Sequence, residues 1–263
     1  MPRILANGVN INYLIEGAPS DQTVMFSNSL ASNLSMWDLQ AEFLIENGFR
    51  LIRYDTRGHG ASEVPEGPYS IEMLADDVAD LIEKLGLGPL HFCGLSMGGM
   101  VAQMMGARHP NKILSLTIAD SAAFMPAKDT WQERILTVKE SGMAAVVDGT
   151  AERWITEAGR KRLPSHVCKI REMILKTDPL GFVACSEAIR DMDLRSSNLL
   201  IKKPTLVICG EEDTGTTPLQ AKEIADAIPG AKLQLISDAA HLTNIEQAKL
   251  FNSLLLDQLK ENS

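Results

Sequence analysis

Short apolar runs alternate along this chain with longer segments whose apolar side chains recur at three- and four-residue intervals. The first two runs, Arg3–Ala6 and Val9–Glu16, flank Asn7-Gly8, a pair that favours the left-handed backbone of a two-residue hairpin turn. Further strands are expected at Thr23–Ser27, Arg50–Tyr54, Leu90–Cys93, Ile113–Ala119, Thr205–Cys209 and Lys232–Ile236. Between them the pattern predicts helices near Met36–Asn47, Ile71–Leu85, Met97–Arg108, Leu219–Ile228 and Ile245–Lys260. In Ile71–Leu85, for example, Leu74, Val78, Leu81, Ile82 and Leu85 keep the helical spacing. Strands alternating with helices of this length predict an α/β protein with a mostly parallel sheet and helices on both faces.

The alternation stops after Ala122. From Phe124 to Leu200 the text is helical, as in WQERILTVKESGMAAVVDGTAERWI, with no convincing strand. About eighty residues is too long for an ordinary connection. An inserted helical cap over residues 123–200 is the economical reading, with residues 1–122 and 201–263 forming the core. Open parallel sheets bind ligands beyond the carboxyl ends of their strands, so a cap there would shape a pocket.

Composition narrows the classes of partner. The chain has 263 residues, enough for one large core without staples, and carries 25 basic against 34 acidic side chains. The resulting charge of -9 argues against nucleic acid and against an anionic membrane surface. No run approaches the ~20 apolar residues of a membrane span, and the first residues lack the pattern of a secretory signal. Cys93, Cys168, Cys185 and Cys209 form no CxxC pair, and two of them sit in apolar strand-like runs. Reduced thiols and a cytoplasmic location are therefore expected.

One motif carries chemistry. Gly94-Leu95-Ser96-Met97-Gly98 matches G-x-S-x-G, with a strand-like PLHFC before it and a helix-like MVAQMMGARH after it. That order is what a nucleophile elbow requires: a tight strand-to-helix turn that projects the serine hydroxyl above the sheet. A phosphate loop would need a Gly-Lys-Ser/Thr ending, which is missing.

A serine hydroxyl is a weak nucleophile until a base takes its proton, and the base needs an orienting acid. Elbow chemistry predicts the chain order Ser, Asp or Glu, His. His109 precedes a proline at a helix end and His166 falls within the cap, which leaves His241 in SDAAHLTNIEQ as the base. The loop GEEDTGTTP follows the Thr205–Cys209 strand and offers Asp213 as the favoured acid, with Asp120 at the end of the earlier strand as its rival. Two backbone N–H groups should receive the oxyanion, that of Met97 and that of Leu30 in the Asn28-Ser29-Leu30 loop.

These residues resemble the α/β-hydrolase superfamily and, more narrowly, the bacterial 3-oxoadipate enol-lactonases. The resemblance runs along essentially the whole chain, through NSLASNLSMW, RYDTRGHGAS, GPYSIE, HFCGLSMGGMVAQ, ACSEAIRDMDLR and AAHLTNIEQ. The elbow and RGHG segments mark the superfamily. The Asn-Ser-Leu, ACSEAIRDMDLR and HLTNIEQ stretches are more particular to the lactonases. Ala31 stands where Gly is usual, and Ala248 where Pro often follows Gln247. The resemblance implies an α/β-hydrolase fold and the opening of 3-oxoadipate enol-lactone, a small anionic enol ester, through an acyl-enzyme. It implies no cofactor and no metal, and leaves room for a homo-oligomer.

Within DTRGHGAS, the charged residues Asp55, Arg57 and His59 are expected to build a loop rather than take part in catalysis. An anionic substrate meeting a protein of this charge calls for a local cation. The cap offers Arg134, Arg153, Arg160, Lys161 and Arg190. Trp131 and Arg134 share a helical face and could pair a ring platform with a carboxylate fork, or equally be a core tryptophan beside a solvated arginine. A general carboxylesterase or a cofactor-free perhydrolase would use the same triad, and a small-molecule receptor could keep it.

Overall fold

The computed structural model describes residues 2–19 and 21–262. Eight strands form one sheet: β1 (Arg3–Ala6), β2 (Val9–Glu16), β3 (Gln22–Ser27), β4 (Phe49–Tyr54), β5 (Leu90–Leu95), β6 (Ile113–Ala119), β7 (Thr205–Gly210) and β8 (Lys232–Ile236). Their spatial order is β1-β2-β4-β3-β5-β6-β7-β8. Only β1–β2 and β2–β4 pair antiparallel; the other neighbours are parallel. Asn7 and Gly8 both take positive φ, 44° and 76°, the turn the hairpin requires.

The core helices are α1 (Asp38–Glu46), α2 (Ile71–Lys84), α3 (Met97–Arg108), α10 (Pro218–Ala227), α11 (Thr243–Glu246) and α12 (Ala248–Glu261). Helix α1 packs on α12, while α2 packs on α3 and α10 on β7 and β8. Every residue of β5 and β7 is buried, as expected of parallel strands covered on both faces. Helix α2 begins at Ser70, whose hydroxyl accepts from the Met73 N–H, and buries Leu74, Val78, Leu81 and Ile82.

Two expected helices differ in detail. The Met36–Asn47 segment opens with a 3-10 turn, Leu34–Trp37, before α1. The Ile245–Lys260 segment is two helices, broken at Gln247, whose φ of -124° and ψ of 47° leave the helical region; its side-chain amide donates to the Asp238 carbonyl at 2.9 Å. Ala248 is therefore the first residue of α12, a position where proline would also be tolerated.

Between β6 and β7 lie α4 (Lys128–Ser141), α5 (Val147–Trp154), α6 (Glu157–Arg162), α7 (Pro164–Lys176), α8 (Pro179–Asp191) and α9 (Arg195–Asn198). The one bridge in this segment among the described residues, Phe124 with Asp193, joins its two ends, and the Leu194 N–H donates to the Ala123 carbonyl at 2.7 Å. The parallel register sets Ser27 beside Gly94, Leu95 beside Ala119, and Ala119 beside Ile208. The loops after β3, β5, β6 and β7 consequently leave the sheet at one edge, where the helical segment meets them.

Candidate active site

The turn from β5 into α3 places Ser96 at φ 57°, ψ -116°, a conformation costly for any residue with a side chain. Its neighbours make the turn feasible. A Cβ on Gly94 would lie 2.0 Å from the Gly98 carbonyl oxygen, and one on Gly98 would lie 2.1 Å from the Ser27 carbonyl oxygen. The Ser96 N–H donates to the Ala119 carbonyl at 2.9 Å, and the Ser121 hydroxyl donates to the Ser96 carbonyl at 2.8 Å.

Ser96 Oγ lies 2.8 Å from His241 Nε2, and His241 Nδ1 lies 2.7 Å from Asp213 Oδ2. Asp213 is held in turn: its Oδ1 accepts from the Gly215 and Thr216 N–H groups, and its Oδ2 from the Thr216 hydroxyl. Burial pushes the Asp213 carboxyl up, but the His241 charge and hydrogen bonds leave it below its ordinary value. Burial pushes the His241 imidazole down, yet the Asp213 carboxylate outweighs it and holds the pKa above 6.5. This is the hydrogen-bonded order of a Ser–His–Asp relay, in which the hydroxyl proton would pass to the imidazole while the carboxylate stays ionised and orients the ring.

Asp120, the rival acid, is fully buried and contributes differently. Its Oδ1 accepts from the Gly210 N–H, and its Oδ2 from the N–H and hydroxyl of Thr243. It thus ties the loop carrying Asp213 to the loop carrying His241. Burial, with the Asp213 charge, raises its pKa to about 8. Asp120, Cys209 and Asp213 bring metal-ligating atoms within 4.8 Å of one another. All four carboxylate oxygens are already engaged, and burial pushes the Cys209 thiol well above its ordinary range. The cluster is built as a hydrogen-bond network.

A cavity opens onto Ser96 and His241. From the core its wall includes Ser29, Leu30 and Thr216, and from the helical segment Met125, Trp131, Arg134, Arg153, Trp154 and Ile189. The Leu30 and Met97 N–H groups have no acceptor among the described residues. Arg134 lies between two aromatic faces, 5.6 Å from the centre of the Trp131 ring and 5.1 Å from that of Phe182. Its Nη2 donates to the Thr150 hydroxyl at 2.8 Å, its Nε is buried without a partner, and it makes no ion pair among the described residues. Burial and the nearby Arg153 lower its pKa to about 10, so it stays cationic at neutral pH. The Ser29 hydroxyl is likewise buried and unpartnered.

Of the five cations that the sequence pointed to in the helical segment, Arg134 and Arg153 reach the cavity. Arg160 donates to the Glu152 and Ile155 carbonyls, Lys161 pairs with Glu157, and Arg190 pairs with Asp191. Trp154, Met125 and Ser29 were not singled out in the sequence. Trp154 and Met125 lie in segments that read as plain helix or loop, and Ser29 is hidden beside Leu30 in the same loop. Asp55, Arg57 and His59 do not line the cavity. Asp55 accepts from Asn12, Leu34 N–H and Ala61 N–H, Arg57 is paired with buried Asp77, and His59 Nε2 accepts from the Ala31 N–H at 3.0 Å.

An elbow serine, its relay and a sheet of this order define a class, and the chain belongs to the family described as the alpha/beta hydrolase fold, whose model matches residues 22–177. Within it, the chain is 34% identical to 3-oxoadipate enol-lactonase 2 of Acinetobacter baylyi, over 95% of this chain and 92% of that one. The crystal structure of the enol-lactonase from Burkholderia xenovorans LB400 superposes with a TM-score of 0.96 at 39% identity, covering 98% of this chain and all (100%) of that one. A thermophilic esterase from Thermogutta terrifontis, with malate bound, superposes with a TM-score of 0.93 at 27% identity over 100% of both chains. No helix among the described residues is long and apolar enough to cross a membrane.

Proposed function

We propose that this protein is a serine hydrolase that opens 3-oxoadipate enol-lactone, with residues 123–200 acting as a cap over the site. The observation that carries this reading is the Ser96–His241–Asp213 relay facing a cavity whose wall holds an arginine without a carboxylate partner. Ser96 Oγ attacks the ring carbonyl carbon as His241 Nε2 takes the hydroxyl proton, and Asp213 stabilises the imidazolium. The Leu30 and Met97 N–H groups receive the oxyanion of the tetrahedral intermediate; losing one such donor typically costs about 2.7–4 kcal/mol of transition-state stabilisation. Collapse breaks the ring C–O bond and returns the proton to the leaving enol oxygen, and the enol tautomerises to the ketone. Water, deprotonated by His241, then attacks the acyl carbon and regenerates Ser96.

Arg134 would hold the substrate carboxylate, with Trp131 as the platform beside it and Arg153 adding positive charge. The buried, unpaired cysteines Cys93, Cys185 and Cys209 fit a cytoplasmic location, where thiols stay reduced.

The test is turnover of enzymatically generated enol-lactone, followed by loss of its ultraviolet absorbance, beside p-nitrophenyl acetate. Wild type should consume the lactone much faster than the ester, and Ser96→Ala should consume neither. Arg134→Met, which keeps the bulk and removes the charge, should raise KM for the lactone about tenfold or more and leave the neutral ester within twofold. Ester cleavage without lactone cleavage would keep the relay and overturn the substrate, and peracid formation would point to a perhydrolase.

A further inference from the structure

The histidine loop runs through Leu242 into α11 (Thr243–Glu246), and of these residues the proposed mechanism uses only His241. Glu246 is 4% exposed and makes no ion pair among the described residues. Its oxygens accept from the Thr156 N–H at 3.1 and 3.2 Å, from the Thr156 hydroxyl, and from the Ala240 N–H at 3.0 Å. Ala240 immediately precedes His241. On the other flank, the Leu242 N–H donates to the Trp154 carbonyl at 3.0 Å. Both peptide N–H groups that bracket His241 are therefore tied to residues 154–156 of the helical segment, one directly and one through Glu246. The Trp154 ring lies over the imidazole, centroids 6.2 Å apart and planes 28° from parallel.

Two more contacts close the clasp. Arg162 Nη2 donates to the Glu246 carbonyl at 2.8 Å, and a Cβ on Gly159 would lie 1.9 Å from Glu246 Oε1. A buried carboxylate without a cation is costly unless its acceptors are well filled. Here three donors converge on it, two of them peptide N–H groups that can only donate, an arrangement that an acceptor-only group satisfies in full.

We propose that Glu246 is a positioning residue that latches the His241 loop onto the helical segment. Seating of that segment over the cavity and alignment of the imidazole with Ser96 then become one structural event. The inference rests on His241 acting as the base, and not on the identity of the substrate.

The test uses Glu246→Gln, in which the amide must turn an N–H toward either Ala240 or Thr156, and Thr156→Val, which removes the hydroxyl from the other side. Both are assayed on p-nitrophenyl acetate, and the far-downfield proton resonance of the His241–Asp213 hydrogen bond is recorded by NMR. Each variant should lose about tenfold or more in kcat with KM within twofold. The double variant should be no slower than the slower single one, because both break the same latch. The downfield resonance should broaden or vanish while thermal unfolding stays cooperative. Wild-type kcat and resonance in a folded variant, or a loss confined to KM, would overturn the latch. Should the Gln variant fail to fold, Thr156→Val and Gly159→Ala carry the same test. If Ser96→Ala kept wild-type ester hydrolysis, the base assignment would fail instead, and the resonance would still report on the latch.

Discussion

His241 shows how a single side chain is tuned by competing terms. Burial favours the neutral ring, while the Asp213 charge and hydrogen bond, with Asp120 acting in the same direction, favour the imidazolium. The second influence wins, so the acidic limb of kcat/KM should lie above pH 6.5. Asp213→Asn removes the larger opposing influence and leaves burial in place. In that variant kcat should fall by roughly 10³–10⁴-fold, and the limb of the residual activity should move to lower pH. A pH–rate profile of both proteins on the neutral ester checks this, and a limb that stayed in place would mean that Asp213 does not set the base. The sequence favoured Asp213 over Asp120 by its place in the loop beyond Gly210. In the structure the reason is geometric: the Asp120 carboxylate is turned to Gly210 and Thr243, and of the two acids it is Asp213 that bonds to the ring.

Among the elements, the loop after β3 carries a cost that its sequence discloses. Ala31 sits at φ 59°, a left-handed conformation that costs an L-residue roughly 1–2 kcal/mol. Its N–H is held by His59, which fixes the approach of the neighbouring Leu30 N–H to the cavity. Glycine would relieve the backbone, at the expense of about 0.5–1 kcal/mol of unfolded-state entropy. Ala31→Gly should therefore stabilise the protein by about 0.5 kcal/mol, a rise of about 1–2 °C in melting temperature, with activity unchanged. A melting temperature lowered by the change would show that Ala31 packing matters more than its backbone. The β5–α3 elbow was readable from the string because its glycines answer to local crowding. The break at Gln247 was not, because neither glycine nor proline marks it in the sequence.

At the scale of the molecule, buried neutral histidines couple the fold to pH. Burial lowers both His59 and His91 to about 4. Between that value and 6.5 the unfolded chain binds protons that the folded chain refuses, so stability rises with pH across this window and is lost as pH falls through it. Protonating His59 would also remove the acceptor for the Ala31 N–H, releasing the loop that carries Leu30. His59→Gln keeps an acceptor without titrating. Its urea midpoint should consequently change less between pH 6.5 and pH 4.5 than that of wild type. An identical pH dependence in the two proteins would assign acid sensitivity to other groups.

Strand positions, most helix positions, the antiparallel opening hairpin, the parallel core and the elbow at Ser96 were readable in the chain, because periodicity, turn residues and backbone crowding act over a few neighbours. So was the resemblance to enol-lactonases. The helical reading of residues 124–200 was readable too, but which of its cations faces Ser96 was not. Arg134 and Arg153 reach the cavity, whereas Arg160, Lys161 and Arg190 are drawn to carbonyls and carboxylates of their own surroundings. The same holds for Glu246, whose partner Thr156 is ninety residues distant. Local rules choose what each segment becomes; the packing of distant segments chooses which polar groups are already satisfied and which are left facing a ligand.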